Sequence, residues 1–312
     1  MSEIIKKIIY FIFFALFFFA CNEKKSAIVF QTDFGTKDGA VSAMKGVAHN
    51  VDADLQLFDL THEIPAYDVW EAAYRLHQVA SYWPAGTVFV SVVDPGVGTE
   101  RKSIVMKSKS GHYFITPDNG TLTLVSDALN VEAVRQIDES SNRRNNSDSS
   151  YTFHGRDVYA YTAARLASGK ISFDEVGPLL TASLIRLEYQ KPVIENNLIK
   201  GSIPVLDIQY GNVWSNIPDS FLKKINISIG EKVDVKILNK DSAVYQGVVL
   251  YVKTFGDVKE GETMGYINSL MNFSLAINMG NFSDSFNIKS GKDWNIYLTK
   301  AHPQKGASGF KN

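Results

Sequence analysis

Four short segments of this chain carry residue types that bind and activate small polar substrates. Asp33 and Asp38 follow an apolar run, Ala27-Ile28-Val29-Phe30. Asp94 opens the string Asp94-Pro95-Gly96-Val97-Gly98-Thr99, with Arg101 close behind. Asp118-Asn119-Gly120 and Phe153-His154-Gly155-Arg156-Asp157 complete the set. A carboxylate accepts hydroxyls or a proton, a guanidinium stabilises negative charge, and imidazole exchanges protons near neutral pH. Each segment also has an ordinary structural role to play. Asp, Asn and Gly at element ends serve as turn and cap residues. Asp118-Asn119-Gly120 reads first as a turn, and Asp68 and Asp157 as helix caps. A lone His154 is more often structural than catalytic, and His49, His62, His77, His112 and His302 are left as structural.

The elements needed to converge these segments are visible in the apolar pattern. Short strands are expected at residues 27–30, 55–60, 87–93, 103–106 and 113–116. Helices are expected at 39–49, 69–82 and 156–167; the second carries Val69, Ala72, Ala73, Leu76, Val79 and Ala80 on one face. Alternating strands and helices imply a mostly parallel sheet with helices on both faces. The ligand crevice of such a sheet lies beyond the carboxyl ends of its strands, where all four polar segments fall. After about Leu187 the helical period fades. Runs at 201–208, 233–237, 243–252, 263–267, 273–277 and 294–298 predict short strands of a small β-barrel or sandwich, with a boundary near Lys191-Pro192.

The whole chain has 312 residues, 45% of them hydrophobic, and a formal net charge of −1. Length and composition fit one large or two ordinary globular domains. The neutral balance argues against a nucleic-acid partner, and Arg143-Arg144, inside the polar stretch 140–150, reads as a solvated loop. Lys6 and Lys7 precede thirteen apolar residues, 8–20, long enough for a signal peptide and short for a membrane span. Phe18-Phe19-Ala20-Cys21 resembles a bacterial lipobox, with Phe18 in place of the usual Leu. Residues 1–26 are therefore expected to be a signal and lipoprotein anchor through Cys21, placing the protein in the cell envelope; the alternative is a misread signal and a cytoplasmic protein. Cys21 is the sole cysteine, so no intrachain disulfide can form.

The strings Thr32-Asp33-Phe34-Gly35 with Asp38, Asp94 to Thr99 with Arg101, Pro117-Asp118-Asn119-Gly120 and Phe153 to Asp157 together resemble the SAM hydroxide adenosyltransferases. These adenosine-forming S-adenosyl-L-methionine (SAM) hydrolases are relatives of fluorinases and chlorinases. Asp207, Gly211-Asn212-Val213-Trp214-Ser215-Asn216-Ile217, Asn268-Ser269, Ala276-Ile277-Asn278 and Gly280-Asn281 extend the likeness, which runs from Ala27 to Leu298. The resemblance implies an α/β fold: a three-layer N-terminal domain (27–188) and a smaller C-terminal β-barrel (197–301). It also implies a homotrimer, with SAM held between the N-terminal domain of one subunit and the C-terminal domain of the next. SAM is the substrate, and no cofactor or metal is expected. The water-using members carry an Asp, an Arg and a His, falling here on Asp94, Arg101 and His154, whereas the halogenating members have Tyr at the position of Asp94 and lack the His. Expected substrate contacts are Asp33 to the ribose hydroxyls, with Asp38, Tyr67, Val97, Asn119, Gly155, Asp207, Asn212, Trp214, Phe255, Ser269 and Asn278 around the nucleoside and methionine. Leu270 stands where a fluorinase has an Arg near the methionine carboxylate, which leaves Ser269 or backbone amides for that task. Two other functions stay open: a phosphohydrolase with a divalent metal on Asp33, Asp38, Asp94, Asp118 and His154, and a non-catalytic adenosine-binding lipoprotein.

Overall fold

The computed structural model describes residues 25–301; the leader with Cys21, and His302, lie outside that range. The first strand shows why the N-terminal half forms three layers. β1 (Ile28–Thr32) is buried along its whole length. Successive side chains of a strand point to opposite faces. Accordingly, Ile28 and Phe30 enter one core with Met44, Ala48 and Val158, while Val29 enters another with Leu76, Phe89 and Val125. Helix α1 (Ala40–Val51) covers the first face. After β2 (Leu57–Thr61), helix α2 (Val69–Ala80) covers the second, its N-terminus capped by Asp68, which accepts from Glu71 N.

β3 (Val88–Val92), β4 (Ser103–Ser108), β5 (Tyr113–Pro117), α3 (Thr123–Leu129) and β6 (Val131–Gln136) follow. The sheet order is β2-β1-β3-β5-β4-β6. β2, β1, β3 and β5 are parallel, and β4 runs antiparallel to both of its neighbours. The expected helix at 156–167 begins differently: a π-helical turn, Gly155–Ala160, leads into α4 (Tyr161–Ala167). Such wide turns concentrate at functional sites.

The C-terminal half corrects one expectation. β7 (Val193–Glu195), β8 (Leu198–Ser202), β9 (Val205–Asp207), β10 (Asn212–Pro218), β11 (Lys232–Asn239), β12 (Ser242–Tyr251), β13 (Thr263–Ile267), β14 (Asn272–Ile277) and β15 (Trp294–Lys300) form one open sheet, ordered β7-β8-β15-β11-β12-β13-β14-β10-β9. Among the described residues no ladder joins the edge strands β7 and β9, so the sheet is not closed into a barrel. The sheet instead folds over its own core of Val213, Val235, Phe273, Leu275 and Leu298. Where β8 crosses β10 a side chain makes the link: Ser202 N donates to Asn216 Oδ1 at 2.8 Å. Gly201 permits the approach, since a Cβ there would lie 2.5 Å from Ile217 Cγ1. The run expected as one strand at 201–208 is split at Pro204, which has no N–H to give a ladder.

Residues 178–192 cross between the halves, and the joint is apolar. Tyr74, Leu124 and Val205 pack there with Trp70, Tyr189, Trp214 and Leu270. Trp70 Nε1 donates to Pro204 O at 2.7 Å. Among the described residues, no helix is long and apolar enough to cross a membrane.

Candidate active site

Six of the expected site residues line one cleft beyond the carboxyl ends of β1 and β3. Asp33, Tyr67, Asp94, Val97, His154 and Gly155 enclose about 270 Å³, together with the rings of Phe34 and Phe153. Those rings meet edge to face at 5.8 Å. Asp33 accepts a hydrogen bond from Tyr67 N at 2.9 Å. This contact holds Tyr67 in a left-handed conformation, φ 68°, which a bulky residue rarely adopts. Gly155 is closely packed: a Cβ would sit 3.2 Å from Val92 Cγ1 and 3.4 Å from Met44 Sδ.

Asp94 and Arg101 form a buried ion pair, their side chains 6% and 10% exposed. Arg101 Nε lies 3.0 Å from each Asp94 oxygen. Burial opposes the charge on Arg101, but the Asp94 hydrogen bond and nearby anions outweigh it and hold its pKa above the ordinary value. Arg101 Nη1 donates to Ser103 Oγ at 3.1 Å, and Ser103 Oγ donates to Glu139 Oε1 at 3.1 Å. The Tyr159 hydroxyl donates to Asp94 Oδ2 at 3.4 Å, and burial pushes its own pKa up.

A second arm of the same network reaches His154. Glu139 is ion-paired with Arg143. Glu139 Oε2 lies 3.5 Å from His154 Nε2, and Arg143 Nη2 lies 3.3 Å from the same nitrogen. Hydrogen bonding to His154 and to Arg143 overcomes burial and lowers the Glu139 pKa to about 2. His154 itself is buried, and its Nδ1 has no hydrogen-bond partner among the described residues. The placement of Arg143 corrects the expectation of a solvated basic loop: its side chain is only 9% exposed.

Four expected C-terminal residues, Asp207, Asn212, Phe255 and Asn278, line a second and larger cleft of about 850 Å³. Asn212 Nδ2 donates to Asp207 Oδ2 at 3.1 Å, and Asn278 Nδ2 donates to Val258 O at 2.9 Å. The Phe255 ring rests on Tyr266 with centroids 5.0 Å apart. Gly211, at φ 68°, presses so closely on Asn281 that a Cβ would overlap its amide at 1.8 Å. Apolar side chains stand in solvent here: Tyr210 and Met279 line the cleft and Ile208 lies beside it. The two clefts share no residue.

The remaining expected contacts line neither cleft. Asp38 accepts from Ala40 N at 2.8 Å and so closes the start of α1. Asn119 ties Val93 O to the turn before α3. Trp214 lies in the apolar joint, and Ser269 sits in the β13–β14 turn. Asp118 accepts from Ile185 N, and burial raises its pKa. Asp157 does not cap a helix; it is fully buried between Arg144 and Arg156. Among the described residues no group of three or more His, Cys, Asp or Glu could hold a metal, so the phosphohydrolase alternative lacks its ligand set. Glu139, Arg143, Ser103 and Tyr159 were not foreseen. The only sequence signal for the first two is a Glu four residues before an Arg.

A model of the SAM hydroxide adenosyltransferase N-terminal domain matches residues 28–177, and one of the C-terminal domain matches residues 201–295. An (R)-S-adenosyl-L-methionine hydrolase from Salinispora tropica is 34% identical over 85% of this chain and 95% of its own length. Another, from Methanocaldococcus jannaschii, is 43% identical over 143 residues, spanning 45% of this chain and about half of that protein (52%). An uncharacterized conserved protein from Thermotoga maritima has a crystal structure that superposes with a TM-score of 0.80, at 34% identity, over 88% of this chain and all of that one (100%). With both domains matched in order and the relatives aligned across most of its length, the chain belongs to the SAM hydroxide adenosyltransferase family.

Proposed function

We propose that this protein hydrolyses SAM to adenosine and L-methionine by attack of water or hydroxide on ribose C5′. The observation that carries the reading is the convergence of Asp94 and His154 on one small cleft that also holds Asp33, with Arg101 ion-paired to Asp94 behind it. Methionine leaves as a neutral thioether, so the reaction needs no acid at the leaving group. It needs an oxygen held in line with the C5′–S bond. Near-attack positioning of that kind contributes roughly 7–11 kcal/mol. Asp94 orients the water, Arg101 stabilises negative charge, and His154 takes the proton. Asp33, with one oxygen left over from Tyr67 N, accepts the vicinal ribose hydroxyls.

The C-terminal cleft supplies the complementary half: Phe255 to stack on adenine, Asn212 and Asn278 for polar edges, and Asp207 for the cationic end of the substrate. Each chain thus holds two half-sites, and we assign their union to neighbouring copies in a homotrimer. Exposed Ile208, Tyr210 and Met279 fit a surface that a second copy covers. No resident cofactor enters this scheme. Anchoring through Cys21 remains a separate proposal, tested by mass spectrometry of the mature N-terminus. The activity is tested by incubating purified protein with SAM in ¹⁸O water. Label in the adenosine 5′-hydroxyl upholds the reading, and adenosine binding without turnover removes it.

A further inference from the structure

A histidine that lines neither cleft grips the loops on both sides of the N-terminal one. Between Phe30 and Gln31 the register of β1 with β2 slips by one residue. A slip of this kind re-aims the side chains that follow it. His62, just past β2, stands beside Thr32 at the end of β1, with Thr32 Oγ1 2.9 Å from His62 Nδ1. His62 Nε2 lies 2.9 Å from Asp59 Oδ1, and Lys45 Nζ donates to the other oxygen of that carboxylate at 2.6 Å. Burial opposes the charge on Asp59, but hydrogen bonds from Lys45 and His62 outweigh it and hold its pKa below the ordinary value. An ionised carboxylate can only accept, so Nε2 carries a proton. In the neutral ring Nδ1 is then bare and accepts from the Thr32 hydroxyl. That leaves Thr32 Oγ1 to accept from Phe34 N at 3.2 Å.

A hydroxyl, an imidazole and a carboxylate in this sequence have the order of a nucleophilic triad. Here the hydroxyl is no nucleophile: Thr32 is fully buried, and its oxygen is engaged by a backbone N–H. What the chain of bonds reaches is the turn 33–35, which carries Asp33 and Phe34 into the cleft. His62 O also accepts from Gly35 N at 2.7 Å, so His62 holds that turn with ring and backbone together. His62 itself opens the segment that brings Ala66 and Tyr67 to the cleft, and Tyr67 N closes the circuit on Asp33. We propose that His62 is a positioning residue that fixes the Asp33 carboxylate for the ribose hydroxyls, acting through Thr32 and the turn 33–35. The assignment rests on the reading of Asp33 as the ribose ligand. A turn fixed beforehand spares the substrate the cost of ordering it, and the gain appears in affinity.

Spectroscopy and binding test this together. In ¹⁵N-histidine spectra of the wild-type protein at alkaline pH, with His62 assigned through His62→Asn, the ring should show a protonated Nε2 and a bare Nδ1. His62→Ala should weaken adenosine binding about 10-fold by calorimetry and raise KM for SAM in step, with kcat changed less than about threefold. Thr32→Val keeps the shape of the buried side chain and removes only its hydroxyl; it should cost about threefold or more in the same affinity. His62→Asn keeps an acceptor for the Thr32 hydroxyl and should lose less than about threefold. Because His62 acts through Asp33, adding His62→Ala to Asp33→Ala should weaken binding by less than about twofold more. A wild-type ring protonated on Nδ1 overturns the proposal, even if His62→Ala fails to fold. So does an unchanged affinity in both His62→Ala and Thr32→Val, or a double variant whose losses simply add. Adenosine bound under this control by a protein that does not turn over SAM upholds the proposal and removes the hydrolase reading instead.

Discussion

In the N-terminal cleft the charged groups are already committed to one another; in the C-terminal cleft the recognition surface still faces water. The first is small, and behind it Asp94, Arg101, Ser103, Glu139, Arg143 and His154 form one connected network. The second is about three times larger in volume, with few polar contacts and an apolar rim; Met279 is 82% exposed and Ile208 77%. The difference separates two kinds of work. Groups that act on a developing charge do so best when fixed beforehand, since reorientation during the reaction costs free energy. Groups that recognise a flat base and an apolar neighbour gain by staying open until both arrive. Under the proposed function, one chain builds its reactive half internally and leaves its binding half for a partner surface to complete.

The contrast is broken most directly at Asp94. Asp94→Ala should lower kcat by at least about 10³-fold, while calorimetry finds adenosine affinity nearly unchanged. It should also leave Arg101 as an unpaired buried charge, which typically costs about 3–5 kcal/mol in thermal unfolding. An Asp94→Ala enzyme with ordinary turnover would remove the assigned role.

Smaller losses should separate the two halves. Phe255→Ala removes a stacking surface worth about 1–3 kcal/mol per base, so nucleoside affinity should fall about 5- to 150-fold with little change in kcat at saturation. Asp33→Ala should weaken nucleoside binding through the ribose by about 10-fold or more, the scale of a hydrogen bond to a charged group. The sharper form mixes the two kinds of subunit. If sites are completed between copies, co-refolded Asp94→Ala and Phe255→Ala chains contain some sites with both native halves. Their activity should exceed the sum of the separate variants. Strict additivity would place both halves in one chain's site.

The same contrast accounts for what the sequence disclosed. Asp33 and Asp94 stand in distinctive strings at the ends of the parallel strands β1 and β3, and His154 stands in another just before the π-helical turn. Continuous apolar runs place β1, β3 and β5, since burial on both faces leaves such a signal. Glu139 and Arg143 lie in a Ser- and Asn-rich loop whose composition is that of a solvated turn. Nothing local distinguishes Arg143 from Arg144, although one reaches His154 and the other pairs with Asp157. The open form of the C-terminal sheet was equally hidden. The strand periodicity is the same in an open and a closed sheet, and where β8 meets β10 the backbone N–H of Ser202 donates to the Asn216 side chain in place of a ladder.

The network of the N-terminal cleft should also show in acid, as the smallest of these effects. Glu139 has an ordinary value of 4.5 and is held at about 2 in the folded protein. A group with a lowered folded pKa binds its proton more readily when unfolded. Its contribution to stability is therefore complete above about pH 4.5 and is lost as pH falls toward about 2. Asp157, fully buried, is likewise lowered: burial opposes its charge, but Arg156 and Arg144 prevail. Acid should thus loosen the N-terminal half through that window. Glu139→Gln should flatten the wild-type dependence there, so the two denaturation midpoints converge as pH approaches 2. A constant gap between them from pH 7 to pH 2 would mean that Glu139 is no more tightly held in the fold than in the unfolded chain. The carboxylate tying the two catalytic arms together would then be only a surface acid.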